Sequence, residues 1–393
     1  MISNSDTFRL IKTCSDTKAR VGELITQHGQ VATPVFLPVG SQATVKTLTP
    51  EDIKNIGFSM VLANAYHLYL RPSIAVVAEM GGLHKFMAWD RAILTDSGGY
   101  QVFSLAPLCR INDDGVTFRS HIDGSQHLLT PESIVQSQEA LGADIIMALD
   151  DCPSHDDDLE QVQRAVRRTH HWAERCQRAQ KRTDQALYAI VQGGVSPELR
   201  RQSAEYLVSL EFAGYAIGGL SLGEPKHVTR EITEIAVECL PADKPRYLMG
   251  AGSPEDLLES IARGVDLFDS ALPTRVARNG ALFTPRGRVN IGNARYRRME
   301  QSVDLDCDCA TCRTFSAAYL HHLFSCDELL AYRLATVHNL SFIGRLMRDA
   351  RNAILDGNFC SFKHDFLKGY RPTDEQIRLE QKQKWSKSRR PDR

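Results

Sequence analysis

Short runs of apolar and β-branched residues recur along the chain, and turn-forming residues bound each run. Eight runs predict strands, at residues 35–39, 60–63, 92–95, 145–149, 187–191, 215–217, 246–249 and 266–268. Helical patterns separate most of them. Repeated alternation of strand and helix predicts an α/β fold, a parallel (β/α)8 TIM barrel. An open, doubly wound sheet is the alternative, but no glycine-rich dinucleotide fingerprint follows the first run.

Several of the intervening helices are predicted to begin with one three-residue pattern, a hydroxyl residue followed by proline and glutamate. The hydroxyl residues of this pattern are Thr49, Thr130, Ser196 and Ser253. The hydroxyl oxygen can accept a hydrogen bond from an unpaired backbone N–H of the first turn. Proline is preset for the first helical position, and glutamate complements the positive end of the helix. The pattern therefore predicts four helix N-termini.

Two stretches do not fit the plain alternation of a barrel. Residues 105–126 are polar and separate the third predicted strand from its helix, which predicts a small antiparallel insertion. A larger insertion that contains a cluster of three cysteines is predicted at residues 281–339, and it begins with a hairpin of strands 281–284 and 288–291. We expect a single barrel domain over residues 1–380 that contains this insertion. The basic residues 381–393 are expected to form a mobile tail.

The net charge of −1 conceals one strongly cationic segment. Residues 270–299 contain no Asp or Glu but seven arginines, at Arg275, Arg278, Arg286, Arg288, Arg295, Arg297 and Arg298. Because no acidic residues are interleaved, the segment predicts a localised anionic partner, with nucleic acid the leading candidate. The sequence shows neither a signal-peptide pattern over residues 1–19 nor an apolar run of membrane-spanning length. We therefore expect a soluble cytoplasmic protein with no membrane partner.

Three of the ten cysteines lie close together, at Cys307, Cys309 and Cys312. In a reducing compartment such a cluster indicates a metal site, whereas isolated cysteines are usually small buried hydrophobes. Three thiolates and one imidazole complete the tetrahedral ligand set of a structural zinc ion. The spacing leaves several candidates for the fourth ligand, namely His338, His321, His322 and Cys326.

The functional groups of a (β/α)8 barrel project from the carboxyl ends of its strands. Asp96, Asp150 and Asp269 lie at three of these predicted ends, and Gln192 and paired glycines lie at others. One aspartate at such a position is usually a turn or helix cap, but three at one mouth indicate a site. Paired carboxylates suit cleavage at an anomeric carbon. They fit a glycosidase or a nucleotide base exchanger, and the adjacent arginines favour base exchange.

Six motifs give the chain a specific resemblance to a known family. They are TDSGGYQVF (95–103), SHIDGS (120–125), VQGG (191–194), AIGGL (216–220), YLMG (247–250) and FDSALPTR (268–275). Their combination resembles the queuine tRNA-ribosyltransferases, the bacterial-type tRNA-guanine transglycosylases, in register from about residue 8 to about residue 365. The resemblance implies a (β/α)8 barrel with an inserted zinc subdomain, in agreement with the strand pattern.

The resemblance also implies catalytic and base-binding roles. Asp269 matches the nucleophile that attacks C1′ of the target ribose, and Asp96 matches the general acid/base that protonates the leaving base and deprotonates the incoming one. Other residues match groups that bind the base, by reading its edge or by enclosing it. They are Ser97, Tyr100, Asp150, Cys152, Gln192, Gly219, Leu220 and Met249. The implied mechanism is a double displacement through a covalent ribosyl-aspartate.

Metal and partner sites follow from the same resemblance. It assigns four ligands to one structural zinc ion, namely Cys307, Cys309, Cys312 and His338, and it implies no further cofactor. The residues expected near tRNA are Arg275, Arg278 and Lys46. Phe315, Tyr319 and His322 match dimer-interface positions of the family, which implies a homodimer formed through the zinc subdomain.

The implied reaction belongs to queuosine biosynthesis. The wobble guanine of U-G-U anticodon loops, in tRNAs for Asp, Asn, His and Tyr, is exchanged for a deazaguanine base. Leu222 stands where bacterial relatives usually have valine and the eukaryotic catalytic subunit has glycine, so we expect 7-aminomethyl-7-deazaguanine to be the incoming base. Queuine is the alternative. Ser270 replaces the usual cysteine after the nucleophile, a change that we expect to be tolerated.

Three other functions remain to be weighed. A glycosidase would use the same carboxylates but gives no reason for the arginine segment. A non-catalytic tRNA-binding paralogue is disfavoured because Asp96 and Asp269 are both retained. An archaeal-type enzyme that modifies the D-arm needs further C-terminal RNA-binding domains, for which this chain has no room.

Overall fold

The computed structural model describes residues 7–99, 109–377 and 379–380. Tyr100 and the predicted basic tail, residues 381–393, lie outside the described residues. The described strands, in chain order, are β1 (Phe8–Thr13), β2 (Arg20–Thr26), β3 (Gly29–Thr33), β4 (Val35–Gly40), β5 (Met60–Asn64), β6 (Ala92–Asp96), β7 (Arg110–Ile111), β8 (Val116–Arg119), β9 (Gln126–Leu129), β10 (Ile145–Met147), β11 (Ala186–Val191), β12 (Gly214–Ile217), β13 (Arg246–Leu248), β14 (Leu267–Ser270), β15 (Ala281–Thr284) and β16 (Gly287–Asn290).

The described α-helices, numbered in the same way, connect and cover these strands. They are α1 (Pro50–Ile56), α2 (Ala65–Leu70), α3 (Ile74–Glu79), α4 (Gly82–Met87), α5 (Pro131–Leu141), α6 (Leu159–Ala179), α7 (Pro197–Ser209), α8 (Lys226–Cys239), α9 (Pro254–Ala262), α10 (Leu272–Arg278), α11 (Ala310–Thr314), α12 (Ala317–Ser325), α13 (Leu329–Asp356) and α14 (Phe359–Gly369). A single 3-10 turn, Ala294–Tyr296, precedes α11.

Eight strands form a closed parallel barrel in the order β4-β5-β6-β10-β11-β12-β13-β14. The last strand closes on the first, with Leu267 opposite Val35 and Phe268 opposite Phe36. The (β/α)8 prediction is confirmed, and each predicted strand overlaps its observed counterpart. Most barrel strands are buried along their whole length because helices cover the outer face while side chains fill the interior.

The hydroxyl-proline-glutamate pattern marks four real helix starts, but one of its caps differs from expectation. The side chains of Thr49, Thr130 and Ser196 accept from a backbone N–H of the first turn, as predicted. Ser253 makes no such bond. Its hydroxyl instead donates to the Asp256 carboxylate at 2.6 Å. Ser253 thus uses its hydroxyl as a donor to the side chain of the third helical residue, and in this orientation its oxygen accepts from no backbone N–H of the first turn.

Antiparallel sheets extend the barrel at three places. Strands β7, β8 and β9 form the insertion predicted after the third barrel strand. Strands β15 and β16 form the predicted hairpin, although β16 begins at Gly287, which pairs with Thr284. The sheet β1-β2-β3 was not predicted. Its Phe8, Leu24 and Val31 pack in one buried cluster with barrel side chains, so this sheet covers the amino-terminal end of the barrel.

Helix α13 joins the region after the hairpin to the barrel. Its first turns contribute Ala331, Leu334 and Ala335 to a small cluster around the hairpin. Residues from Val337 to Ile354 then belong to the main core. The predicted insertion boundary at residue 339 therefore falls within a continuous helix. Among the helices that the structure describes, none has the length and apolar character needed to cross a membrane.

Candidate active site

Six of the predicted site residues lie around one end of the barrel. Asp96 ends β6 and Asp269 lies in β14. Asp150, Gln192, Gly219 and Met249 follow the carboxyl ends of β10, β11, β12 and β13. Because all eight strands are parallel, these residues share the carboxyl-terminal mouth, where barrel enzymes place their chemistry.

The Asp269 carboxylate is half-buried and is held by two donors. The Tyr247 hydroxyl donates to Oδ1 at 2.5 Å, and the Gly250 backbone N–H donates to the same oxygen at 2.9 Å. Burial raises the pKa of Asp269, while the bonds from Tyr247 and Gly250 oppose that rise. Both donors fix Oδ1, so the carboxylate has a defined orientation at the mouth.

The Asp96 carboxylate is fixed by the neighbouring strand β5. The Asn64 side chain, directly opposite in the register, donates to Oδ2 at 2.5 Å, and the Ala65 backbone N–H donates to Oδ1 at 3.0 Å. The Tyr247 hydroxyl bonds Asp269 alone, but the charges of Asp269 and Asp96 both raise the pKa of Tyr247, after burial as the main cause. Both carboxylates therefore act on one phenol at the same end of the barrel.

The Asp150 carboxylate is buried between a hydroxyl and an amide. Ser97 donates to Oδ1 at 3.3 Å, and the Gln192 amide donates to Oδ2 at 2.7 Å. Burial raises the pKa of Asp150 to about 6, and the charge of Asp151 adds to the rise, while Gln192 and Ser97 lower it. The Gln192 amide lies next to Gly219, where a Cβ would be 2.4 Å from its Oε1 atom, and the φ of 69° at this position favours glycine.

The other base-binding candidates surround this group unevenly. Cys152 and Leu220 are buried, and Met249 is half-buried after β13. Burial raises the pKa of the Cys152 thiol, so it is a neutral wall of the site. Tyr100 cannot be placed because it lies outside the described residues.

A buried carboxylate fixes the loop that follows Leu220. Glu224 accepts hydrogen bonds from the backbone N–H groups of Ser221, Leu222 and Gly223. Ser221 has a φ of 59°, a left-handed conformation that such bonds stabilise. Half-buried Leu222 thus lies on a loop with a defined backbone. Sequence reasoning singled out neither Glu224 nor the site residues Tyr247 and Asn64.

The predicted metal ligands converge. The Nδ1 atom of His338 lies 3.8, 3.7 and 3.3 Å from the sulfurs of Cys307, Cys309 and Cys312. These separations suit four donors around one tetrahedral ion. The Nε2 atom of His338 bonds the Phe283 carbonyl at 2.7 Å, which leaves Nδ1 to face the thiols. The four residues form a possible metal-binding group, and His321, His322 and Cys326 do not belong to it.

The cationic segment is mostly on the surface. In this segment Arg275 is exposed, whereas Arg278 is half-buried and donates to the Thr274 carbonyl at 2.8 Å. Lys46, outside the segment, is also exposed. The predicted interface residues Tyr319 and His322 are exposed, and the Tyr319 ring stacks on Phe315 with centroids 5.3 Å apart. These surfaces are open to a partner.

Comparison with known proteins identifies the family. Its model, described as queuine tRNA-ribosyltransferase, matches residues 14–372. A queuine tRNA-ribosyltransferase of Dehalococcoides mccartyi is 60% identical over 378 residues, 96% of this chain and 96% of the relative. The chain belongs to the queuine tRNA-ribosyltransferase family. Two further relatives carry the same name. The one from Herpetosiphon aurantiacus is 56% identical over 364 residues, 93% of each chain. The one from Thermoanaerobacter pseudethanolicus is 54% identical over 364 residues, 92% of this chain and 97% of the relative.

Membership of the queuine tRNA-ribosyltransferase family makes the chain a pentosyltransferase. The resemblance inferred from the six motifs is confirmed. The glycosidase and the non-catalytic paralogue are set aside, because the match extends along almost the whole chain and the relatives carry the name of a transferase.

Proposed function

We propose that the chain exchanges the wobble guanine of U-G-U anticodon loops, in tRNAs for Asp, Asn, His and Tyr, for 7-aminomethyl-7-deazaguanine. The observation that carries the proposal is the pair of oriented carboxylates at one barrel mouth, half-buried Asp269 and buried Asp96, with Tyr247 bonded to Asp269. Beside them lies a polar pocket built around Asp150. This arrangement suits cleavage at an anomeric carbon next to a site for a purine base.

In the proposed mechanism Asp269 attacks C1′ of the flipped nucleoside and forms a ribosyl ester as the C–N bond to guanine breaks. Asp96 supplies the proton that guanine needs to leave. The incoming base then loses a proton to Asp96 and attacks C1′, which releases Asp269 and leaves the tRNA backbone intact. Exclusion of water from the ester is essential, because hydrolysis would leave an abasic site.

The pocket around Asp150 complements the edge of guanine. That edge presents a carbonyl oxygen, an N–H and an exocyclic amine in sequence. The Asp150 carboxylate can accept from the two donors, while the Gln192 amide can donate to the carbonyl oxygen. Adenine reverses the polarity at these positions, so the pocket favours a guanine-like base.

Several surface features support tRNA as the polymeric substrate. The exposed arginines after Asp269 would bind phosphates beside the reacting nucleoside, together with Lys46 at the mouth. The exposed Tyr319 and His322 would form a homodimer interface next to the metal group. With tRNA as its substrate, we expect the enzyme to act in the cytoplasm.

Exchange of labelled guanine into purified tRNA tests the proposal. A folded enzyme that exchanges no base into U-G-U tRNAs would refute it.

We propose that the Cys3His group holds one structural zinc ion that joins the hairpin region to α13. Substitution Cys309→Ser removes one thiolate, so we expect elemental analysis to find metal-poor protein, with a Tm lower by roughly 5–10 °C. Cys326→Ser is the matched control, because Cys326 is exposed and outside the group. Near-stoichiometric zinc in Cys309→Ser protein would contradict the assignment.

Leu222 is proposed to select the smaller incoming base. Its side chain lies on the loop fixed by Glu224, so we expect it to exclude the bulky substituent of queuine. In competition the enzyme should incorporate 7-aminomethyl-7-deazaguanine, and Leu222→Gly should raise relative queuine use about tenfold. Leu222→Val should retain the wild-type preference. Equal incorporation of both bases by the wild-type enzyme would refute this selection. Queuine, the alternative incoming base, would then be accepted as well.

A further inference from the structure

Behind the base pocket lies a buried cation to which neither the sequence motifs nor the mechanism assigns a role. Arg200 is on helix α7, and its side chain is completely buried. Its Nη1 atom donates to the Val191 carbonyl at 2.8 Å, and its Nε atom donates to the Gly194 carbonyl at 2.9 Å. Arg200 therefore bonds the backbone carbonyl groups on both sides of the Gln192-Gly193 turn.

The same helix contributes a second contact to this turn. Ser203 lies one helical turn after Arg200, and its hydroxyl oxygen accepts from the Gln192 backbone N–H at 3.3 Å. These contacts set the backbone position of Gln192, but they leave the orientation of its side-chain amide open. That orientation decides whether the pocket offers a donor or an acceptor to the base.

Two unpaired atoms remain next to Gly219. The third nitrogen of the guanidinium, Nη2, and the Gln192 Oε1 atom are both buried and have no hydrogen-bond partner among the described residues. A Cβ at Gly219 would lie 2.4 Å from Oε1 and 3.6 Å from Nη2, so both atoms border the same glycine. One is a charged donor and the other an acceptor, and leaving either buried and unpaired is costly.

We propose that Arg200 is a positioning residue: it holds the Gln192 amide oxygen inward, so that the amide NH2 group faces the base and selects a carbonyl oxygen there. This inference rests on the proposed function and deepens it. A donor from Arg200 to Oε1 would stabilise the observed orientation, in which Nε2 points to Asp150. The flipped amide would place its NH2 against a guanidinium, donor against donor, and its oxygen against the Asp150 carboxylate.

The charge of Arg200 persists in this environment. Burial lowers the pKa of Arg200 to about 10, while the charge of Glu224 raises it, so the guanidinium stays cationic at neutral pH. A cation behind the amide therefore biases the amide dipole in the same direction as a hydrogen bond from Nη2 to Oε1 would.

The test compares guanine with 6-thioguanine, which keeps both donor groups of the edge but replaces the carbonyl oxygen with a weaker acceptor. We expect Arg200→Met to raise the KM for guanine about tenfold with kcat within about twofold, and to lower the guanine preference about tenfold. In a Gln192→Met background the same change should have no further effect on selectivity, because the amide is already gone.

Arg246→Met is the matched control, since Arg246 is a buried arginine that bonds the Leu240 carbonyl near the opposite end of the barrel. Arg200→Lys, which keeps the charge, is the second variant in case the methionine does not fold. A single ammonium nitrogen cannot occupy the three positions that Nε, Nη1 and Nη2 of Arg200 take, so guanine preference should fall at least about threefold. Unchanged selectivity in a folded Arg200 variant, or additive effects with Gln192→Met, would overturn the inference. A wild-type enzyme without guanine exchange would instead reject the proposed function.

Discussion

Asp269→Asn is expected to reduce guanine exchange by more than about 10⁴-fold and to abolish the covalent tRNA adduct. The amide nearly matches the carboxylate in size and can still accept from Tyr247 and Gly250, so the fold should persist. The asparagine amide is a poor nucleophile, because its lone pair is delocalised and it carries no charge. Adduct formation is measured on denaturing gels after incubation of the enzyme with labelled tRNA.

Two companion variants sharpen this experiment. Asp184→Asn, at an exposed ion pair before β11, should retain full activity. Tyr247→Phe removes a donor to the ionised Asp269 carboxylate. Burial already raises the pKa of Asp269, so the loss of this donor should raise it further and move the acid limb of the pH–rate profile upward. Wild-type exchange or a normal adduct in Asp269→Asn would disprove the nucleophile assignment.

Asp96→Asn is expected to slow exchange by about 10²- to 10⁴-fold while tRNA binding stays within about twofold of wild type. The reason is that neither base can gain or lose its proton efficiently without this carboxylate. The amide oxygen can still accept from Asn64 or Ala65, so the β5–β6 pairing should remain. Single-turnover exchange and equilibrium tRNA binding, measured on the same preparation, separate chemistry from affinity.

Asn64→Ala is the natural comparison for Asp96→Asn. It keeps the carboxylate but removes the 2.5 Å bond that orients it, so its loss of rate should be smaller. A normal rate in Asp96→Asn would displace Asp96 as the acid/base. A larger loss in Asn64→Ala than in Asp96→Asn would assign the proton transfer to another group.

The barrel was predictable because its strands are buried on both faces and read as short apolar runs. The sheet β1-β2-β3 was not, because its first strand exposes most of its residues and shows no clean alternation. The ends of the strands located Asp96, Asp150 and Asp269. Periodicity alone could not identify Tyr247 or Asn64, since their partners are distant in sequence and meet only when the barrel closes.

The four candidates for the fourth metal ligand show the same limit. Spacing located Cys307, Cys309 and Cys312, but the choice among the histidines depended on family resemblance. The geometry explains why His338 is the one that fits: its Nε2 atom is engaged by the Phe283 carbonyl, so its other nitrogen faces the thiols. By contrast, His321 bonds the Ile291 carbonyl through Nδ1.

Helix α13 limits how this enzyme can be re-engineered. Because one uninterrupted helix contributes first to the cluster around the hairpin and then to the main core, the hairpin region is not a detachable module. A chimaera that imported this region from a relative would also need the matching half of α13, in the correct rotational phase, or its grafted ligands would face away from one another. Recombination breakpoints are therefore better placed in the loops on either side of the helix than at its midpoint.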